Sequence, residues 1–195
     1  MKLNAHEFAL MNNGIRAASQ RWIETPLLIG RNGDLAGQRV LEIGCGRGVG
    51  LQILLGLGAA EVVGLDIDPR MIRLAQERLA GRGGRARAEI GDAKAIPAPD
   101  AFFDSVFDFG ILHHVPGWAE ALGEIARVLK PGGQFYFEDI LRGLTTWWPA
   151  RMLFDHPQAS QFSGGELRRG LEAPGLKLVA WRQWGEWAVM EQAVK

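Results

Sequence analysis

Residues 40–50 read VLEIGCGRGVG, and this stretch decides the fold. An apolar run, Val40–Ile43, leads into glycines at alternate positions and then into a helical pattern. Glycine is required where the chain turns at positive φ or where a ligand approaches the backbone closely. A helix that begins just beyond such a loop presents unpaired N–H groups and the positive end of its dipole. The stretch therefore predicts a strand, a ligand-binding turn and a helix.

On both sides of this loop, short apolar runs alternate with helical patterns. The predicted strands are Arg39–Ile43, Glu61–Leu65, Arg87–Ile90, Ser105–Phe109 and Gln134–Glu138, and the predicted helices are Val49–Leu57, Pro69–Ala80 and Gly117–Leu129. Asp68-Pro69 is typical of a helix N-cap followed by proline at the first helical position. Strands separated by helical crossovers predict a mostly parallel sheet covered on both faces, which is an α/β fold.

The N-terminal segment predicts an amphipathic helix over Asn4–Glu24. Its apolar residues recur three and four positions apart and form one stripe, namely Phe8, Met11, Ile15, Ala18 and Trp22. Thr25-Pro26 is expected to end this helix, because the residue before a proline is pushed out of the helical region.

The tail, Leu141 to Lys195, has a different character. Ser163 and Glu166 fit a capping box, which predicts a helix that runs to about Ala173. Beyond it, Leu176–Trp181 and Trp187–Val194 predict a terminal β-hairpin.

Composition restricts the functional classes. The 195 residues suit one domain, and 22 basic against 22 acidic residues create no net field toward nucleic acid or anionic lipid. The basic run Arg82–Arg87 lies in a glycine-rich stretch and is interpreted as a solvated loop. A single cysteine, Cys45, excludes an intrachain disulfide and suits a reducing compartment. The N-terminus lacks a signal-peptide pattern, and the apolar stretch Gly48–Ala60 is too short to cross a bilayer. We therefore expect a cytoplasmic protein without stable membrane insertion.

The glycine loop does not fit the dinucleotide fingerprint Gly-x-Gly-x-x-Gly. Counting from Gly44 places Val49 at the third glycine, and counting from Gly46 places Leu51 there. A nicotinamide-dependent oxidoreductase is therefore disfavoured, although it remains an alternative.

Glu42–Gly50 resembles motif I of the class I S-adenosylmethionine-dependent methyltransferases, especially the small "type 11" members. Further segments resemble the family in the same order along the chain, from about residue 39 to 139: EVVGLDID (61–68), IGDA (90–93), IPAPDAFFDSV (96–106) and VLKPGG (128–133). The resemblance implies a Rossmann-like three-layer αβα sandwich whose seven-stranded sheet is parallel except for the last strand. It also implies one domain, 1–195, with a helical lid (1–30), a cofactor-binding core (39–139) and an acceptor side (141–195). A plain core helix stays open as the alternative to the lid.

The resemblance assigns S-adenosylmethionine as cofactor and S-adenosylhomocysteine as product. Glu42 is expected to hold the amino group of the cofactor, Asp66 the ribose hydroxyls and Asp92 the adenine amino group, with Ile67 and Met71 as apolar walls for the adenine. The other expected cofactor-binding residues are Gly44, Cys45, Gly46, Gly48, Gly91, Ala93 and Phe109. No histidine or cysteine cluster has metal-binding spacing, so no metal is expected.

The expected activity is methyl transfer to an O, N or C atom of a small molecule, by a monomer or homodimer that does not bind nucleic acid. An S-adenosylmethionine-binding protein without transferase activity is the alternative. His113 and His114 follow the fourth predicted strand at the sheet edge where ligands bind. They are candidate bases, since histidine titrates near neutrality, and contact with substrate or cofactor and a structural role stay open. His156, beside a proline, is interpreted as a loop residue.

Five of the seven tryptophans lie in the tail. They are Trp147, Trp148, Trp181, Trp184 and Trp187. Such residues can line an aromatic acceptor pocket, pack the hairpin or form a dimer contact. The segment 147–154 can also contact a membrane surface, but its single Arg151 gives little electrostatic attraction.

Overall fold

The computed structural model describes residues 13–30, 34–81, 83–146 and 160–195. Seven strands form one sheet in the order β3-β2-β1-β4-β5-β7-β6. The strands are β1 (Arg39–Ile43), β2 (Glu61–Asp66), β3 (Ala86–Ile90), β4 (Phe103–Phe109), β5 (Leu129–Ile140), β6 (Lys177–Trp184) and β7 (Ala188–Val194). Neighbouring strands from β3 through β5 pair in parallel, whereas β7 pairs antiparallel with both β5 and β6. The predicted α/β fold, with only the last strand reversed, is confirmed.

Helices cover both faces of the sheet. In chain order they are α1 (Gly14–Ser19), a π-helical turn (Gln20–Glu24), α2 (Thr25–Ile29), α3 (Val49–Gly56), α4 (Pro69–Leu79), a 3-10 turn (Leu112–His114), α5 (Trp118–Val128), α6 (Arg142–Thr146) and α7 (Gly164–Glu172). One buried cluster joins α5 and α7 to the sheet, and a second joins α2, α3 and α4 to the opposite face. In β1, Leu41 and Ile43 face the first cluster and Val40 the second, as the two-residue period of a strand dictates.

Two helix starts follow the predicted local chemistry. The Asp68 side chain accepts from the Arg70 N–H at 2.9 Å, and Pro69 occupies the first turn of α4. Ser163 and Glu166 form the expected capping box at the start of α7. Both caps satisfy N–H groups that have no partner within their own helix.

The prediction that Thr25-Pro26 ends the first helix is wrong. Helical structure continues through Ile29 because the chain widens into a π-helical turn at Gln20–Glu24, just before the proline. In that turn the Thr25 N–H and hydroxyl both contact the Gln20 carbonyl, the hydroxyl at 2.7 Å. Pro26 has no N–H with which to continue the regular helical hydrogen bonds. The wider π-helical turn shifts the bonding pattern just before the proline, so that the helix can continue past it.

The apolar stripe of this helix does not face the core. Ile15 is 83% exposed and Trp22 is 74% exposed, whereas Gln20, Thr25 and Leu28 are buried. The more distant part of the predicted stripe, Phe8 and Met11, lies outside the described residues.

The boundaries of β4 and β5 also differ from the prediction. Strand β4 begins at Phe103, and β5 includes Lys130–Gly133, which the sequence suggests is a turn. The ladder is irregular there, because Phe103 pairs with Leu129 and Ser105 with Gln134. The turn-forming residues therefore form a bulge within a long strand.

Candidate functional site

The strand order creates a crevice at the carboxyl end of β1. The chain leaves β1 toward β2 on one side and later places β4 on its other side. Ligands bind at such a switch point in open α/β sheets. The glycine loop occupies this position, since it follows Ile43 directly.

Glycines of the loop are required for different reasons. Gly44 has φ +64°, and a Cβ there would overlap the Ile111 side chain. Gly48 has φ +79°, and its Cβ would lie 3.1 Å from the Cβ of Ala75 in α4. Gly46, with φ +51°, has no heavy atom within 4 Å of a Cβ position. Gly44 and Gly48 thus permit close packing, while Gly46 leaves its backbone open to the crevice.

A cavity of about 330 Å³ fills the crevice. Every expected cofactor-binding residue except Gly48 lines it, and Gly48 instead packs against α4. Residues that the sequence did not single out for binding also line it, including Arg16, Ala17, Gln20, Lys94, Ile111 and Pro116. No residue beyond Pro116 is among those that line this cavity in the described chain.

Glu42 contributes a buried carboxyl to the cavity wall. Its side chain is 2% exposed, and Oε2 has no hydrogen-bond partner among the described residues. Burial, together with the charges of Asp66 and Asp108, raises the pKa of Glu42 well above its ordinary value. A Cβ at position 50 would overlap this carboxyl, so Gly50 makes the room that Glu42 occupies. A cationic ligand group beside Oε2 would compensate the cost of its burial.

Asp66 joins the loop to the end of β2. One carboxylate oxygen accepts from the Gly46 N–H at 2.9 Å and the other from the Asp68 N–H at 2.8 Å. Burial raises the pKa of Asp66, while these two backbone donors oppose the rise. Each oxygen keeps a second lone pair that can accept from a ligand hydroxyl.

Asp92 stands at the end of β3 and accepts from the Lys94 N–H at 2.9 Å. Met71 is buried and Ile67 is 53% exposed, and both line the cavity together with Asp66 and Asp92. A flat apolar group can lie against these two side chains while the acids bind its polar edges.

The N-terminal helical segment closes one side of the cavity. The Arg16 guanidinium donates to Glu138 Oε1 at 3.1 Å and to the Phe109 carbonyl at 3.3 Å, and it also pairs with Glu24. Burial and the hydrogen bond to Glu24 raise the pKa of Glu138 to about 9. Arg47 donates to the Asn13 carbonyl at 2.8 Å, which ties the glycine loop to the start of α1. These contacts hold α1 against the carboxyl ends of β4 and β5.

The two candidate histidines occupy different environments. His114 lines the cavity, whereas His113 does not. His113 is buried, and its Nδ1 shares a hydrogen bond with Asp139 at the end of β5, while its N–H donates to the same carboxylate at 3.2 Å. Burial raises the pKa of Asp139 to about 8. The two imidazole rings lie 4.0 Å apart, so the fixed His113 supports the ring that faces the cavity.

The surroundings of Cys45 and of the described tail tryptophans favour packing roles over a chemical role. Burial raises the pKa of the Cys45 thiol well above its ordinary value, which disfavours the reactive thiolate. Trp181 stacks under the Arg168 guanidinium at 3.7 Å, and Trp184 and Trp187 are about half exposed without lining the cavity. Trp147, Trp148, Arg151 and His156 lie outside the described residues.

Comparison with known proteins agrees with this geometry. A family model described as "Methyltransferase domain" matches residues 41–137. The chain belongs to the class I S-adenosylmethionine-dependent methyltransferases. A methyltransferase crystal structure from Aquifex aeolicus covers 99% of both chains with a TM-score of 0.77 at 20% identity, which shows the shared fold.

Curated relatives of this chain are named for different acceptors or pathways. The chain is 40% identical over 108 residues to a probable phthiotriol/phenolphthiotriol dimycocerosates methyltransferase of Mycobacterium ulcerans, covering 55% of this chain and 41% of that protein. It is 34% identical over 120 residues to a ubiquinone biosynthesis O-methyltransferase of Aromatoleum aromaticum, covering 61% of this chain and 51% of that protein. The chain thus spans about two fifths to one half of the length of these curated relatives.

The cavity of this family member fits S-adenosylmethionine, the cofactor of the family. The buried Glu42 Oε2 suits an ammonium group, the open side of Gly46 admits a close ligand, and Asp66 and Asp92 end neighbouring strands. Within residues 13–30, 34–81, 83–146 and 160–195, no group of three or more metal-ligating side chains could hold a metal ion. None of the helices described there is long and apolar enough to cross a membrane.

Sequence reasoning missed residues that approach the site from outside the motifs. Arg16 and Gln20 lie on the polar side of the predicted N-terminal stripe, and that polar side was the available signal. Asp139 gave no signal, since an acid near the end of a strand identifies no partner. Only the parallel pairing of β4 with β5 brings it to His113.

Proposed function

We propose that the protein transfers the methyl group of S-adenosylmethionine to an O, N or C atom of a small-molecule acceptor and releases S-adenosylhomocysteine. The observation that carries this proposal is the buried Glu42 carboxyl beside the open glycine loop, with Asp66 on the adjacent strand. The relatives named as methyltransferases of phthiotriol lipids and of ubiquinone precursors support a small-molecule acceptor.

The proposed cofactor contacts combine the roles that the family resemblance implies with the positions of these side chains around one cavity. Glu42 binds the ammonium group, Asp66 accepts from the ribose hydroxyls, and Asp92 accepts from the adenine amino group. Ile67 and Met71 hold the two faces of the adenine. The remaining residues shape the cavity wall, namely Gly44, Cys45, Gly46, Gly91, Ala93 and Phe109.

The sulfonium of the cofactor supplies an electrophilic methyl group when it is bound. The protein therefore has to align an acceptor atom with that group and keep water away, and such orientation can supply about 7–11 kcal/mol of barrier reduction. Arg16, Ala17 and Gln20 exclude water from one side of the cavity. In this proposal, residues 39–139 hold the cofactor. The described part of the tail, 141–146 and 160–195, does not line the cavity itself, but it lies close to the acceptor side, because the Ser160 hydroxyl donates at 2.5 Å to the carbonyl of His113, the neighbour of the cavity-lining His114.

His114 is the proposed acceptor-side residue, because its ring lines the cavity. It contacts the acceptor and takes a proton from it where the nucleophile is a hydroxyl or amine. General-base assistance of this kind typically contributes about 10²–10⁴-fold. His113 is a positioning residue, since Asp139 fixes its ring behind His114.

Two measurements test the proposal. Calorimetric titration should show binding of S-adenosylmethionine and none of NAD, and the reverse would identify an oxidoreductase. Incubation with methyl-labelled cofactor and a library of phenols, carboxylic acids and amines should then label at least one acceptor. Cofactor binding without transfer to any acceptor would favour the alternative, a binding protein that lacks transferase activity.

Variants of the two histidines separate their roles. His114→Ala should lower kcat by about 10²-fold or more at unchanged cofactor affinity if the acceptor must lose a proton. His113→Asn and Asp139→Asn should lower kcat less and should also shift its pH profile, because they alter the support of His114. Equal losses in kcat for His113→Asn and His114→Ala would contradict this division.

A further inference from the structure

The outward face of the N-terminal helical segment is apolar. The exposed residues of 13–30 are Gly14, Ile15, Ala18, Arg21, Trp22, Ile23, Leu27 and Gly30. Ile15, Trp22 and Ile23 are 83%, 74% and 56% exposed, respectively. Several large apolar side chains exposed within one short helical segment are typical of an interaction site on a globular protein.

Charge on this segment is sorted by face. Arg21 is the only charged residue among those exposed residues. The one acidic residue of the segment, Glu24, turns inward, where it pairs with Arg16 and accepts from the Ser19 hydroxyl at 2.7 Å. Beside the segment, the exposed Arg182 donates to the Leu27 carbonyl at 2.8 Å and adds a second cation. Among the exposed residues of 13–30 and the adjoining Arg182, the outward face therefore combines apolar side chains with positive charge and carries no acid.

We propose that this outward face, defined by Ile15, Ala18, Arg21, Trp22, Ile23 and Leu27, binds an anionic lipid surface. A tryptophan beside aliphatic side chains is the composition that partitions into the boundary between headgroups and acyl chains. Arginines at the margin of such a face meet anionic headgroups, each contributing to binding within a Debye length of the surface. The absence of an outward acid in the described segment removes the repulsion that would oppose this contact.

The position of the face couples lipid contact to the site. The same helical segment presents Arg16, Ala17 and Gln20 to the cavity from its opposite side. Arg16 binds Glu138 and Phe109 at the strand ends, so the segment lies between the proposed lipid surface and the cavity. This inference goes beyond the proposed function, because the binding requires neither cofactor nor methyl transfer.

Co-sedimentation of the full chain with lipid vesicles tests the inference. Vesicles of phosphatidylglycerol and phosphatidylcholine in equal parts should retain the protein without cofactor. The double variant Ile15→Ser/Trp22→Ser should lower the partition coefficient by about tenfold or more, because it removes the two most exposed apolar side chains. The conservative variant Trp22→Phe should retain most of the binding.

Matched controls separate this face from general surface effects. Leu74 on α4 and Val179 on β6 are 36% and 61% exposed, and Leu74→Ser/Val179→Ser should leave vesicle binding unchanged. Arg21→Glu should weaken binding to the anionic vesicles by about fivefold or more, whereas Arg73→Glu, an exposed charge reversal on α4, should not. Vesicles of phosphatidylcholine alone should show no difference between Arg21→Glu and the wild type.

Three results would overturn the inference. The first is no vesicle binding by the wild type, and the second is equal vesicle binding by Ile15→Ser/Trp22→Ser. The third is a wild-type dimer that does not bind vesicles and that this variant converts to monomers. The last result would assign the face to a second copy of the chain, as sedimentation equilibrium would reveal. Calorimetry with S-adenosylmethionine should give the same affinity for this variant and the wild type. Failure of the wild type to bind the cofactor would refute the proposed function and leave the vesicle result standing.

Discussion

Two buried glutamates show how differently two regions of the sheet, the strand before the glycine loop and the terminal hairpin, use the same residue type. Glu42 in β1 and Glu191 in β7 are each 2% exposed and have carboxyl oxygens without a hydrogen-bond partner among the described residues. Burial raises the pKa of both, that of Glu191 to about 9. Glu42 lines the cavity and Glu191 does not. A buried carboxyl thus indicates a ligand only where it borders a space that a compensating charge can enter.

The regions around these glutamates also differ in backbone. Near Glu42 the chain passes through three glycines at positive φ, and a Cβ at Gly44 or Gly50 would overlap a neighbouring side chain. Near Glu191 the chain is an antiparallel ladder in which this residue pairs with Phe137 and Trp181. At the ligand site, glycines let the backbone pack closely against neighbouring side chains. In the hairpin, residues with full side chains pair across the strands.

Gly44→Val should cause the largest change. Valine combines a strained positive φ with overlap onto Ile111, so we expect a loss of more than about 3 kcal/mol of stability or complete loss of cofactor binding. Chemical denaturation and calorimetry measure the two effects. Gly123→Ala is the matched control, since nothing lies within 4 Å of a Cβ there, and it should be neutral or stabilising. A Gly44→Val protein with normal stability and affinity would remove the argument for the loop.

Asp66→Ala should weaken binding of S-adenosylmethionine by about 2 kcal/mol, close to thirtyfold in Kd, because charge-assisted hydrogen bonds to the ribose are lost. Calorimetry at one pH measures this change. Asp100→Ala, at an exposed carboxylate, serves as the control. Unchanged affinity for Asp66→Ala would refute its assignment to the ribose.

Glu191→Gln should change stability in a pH-dependent manner. A folded-state pKa of about 9 means that the folded protein retains a proton that the unfolded chain releases near the ordinary value of 4.5. The stabilisation is therefore complete below about pH 4.5 and is lost as pH rises toward 9, by about 1.4 kcal/mol per pH unit. Chemical denaturation of the wild type and the variant should be compared at several pH values from about pH 5 to about pH 9. The unfolding free energy of the glutamine variant should exceed that of the wild type by an amount that grows as the pH rises.

The same pair of sites gives a sharper comparison when cofactor binding is measured. Glu42→Gln should weaken S-adenosylmethionine binding, since the ammonium loses a charged partner, while Glu191→Gln should not. In the denaturation experiment on Glu191→Gln, a difference in unfolding free energy between wild type and variant that is the same at all pH values would show that Glu191 is charged in the folded protein.

Ser163→Ala should have the smallest effect. Loss of the capping box at α7 is expected to cost about 1 kcal/mol in unfolding free energy without altering cofactor affinity. Thermal unfolding combined with calorimetry tests both parts. Ser105→Ala is unsuitable as a control because its hydroxyl is buried and donates to the distant Gln38, whereas Thr146→Ala removes an exposed hydroxyl that donates to the Arg142 carbonyl of its own helix. A fall in cofactor affinity for Ser163→Ala would show that the tail communicates with the cavity.

Local sequence predicted the elements with self-contained signals. The strand and glycine pattern of residues 40–50, the Asp68-Pro69 cap and the Ser163 capping box depend on hydrogen bonds and φ angles within a few residues. The end of the N-terminal helix failed because the π-helical turn at Gln20–Glu24 is compatible with Pro26, which a rule for regular helices does not anticipate. The surroundings of its apolar stripe stayed open between a lid and a core helix, because periodicity gives a face but not what that face meets; in the structure Ile15 and Trp22 are exposed.

The sequence by itself determined the order of the site residues along the chain. Glu42, the glycines, Asp66 and Asp92 each lie near the end of a recognisable strand or just after it. Only the tertiary structure decided that His114 faces the cavity while Asp139 holds His113, that Arg16 closes the site, and that Glu191 is buried away from it. The physical reason is that caps and turns are set by neighbours in sequence. Burial and partnership depend instead on strands and helices that meet across long separations.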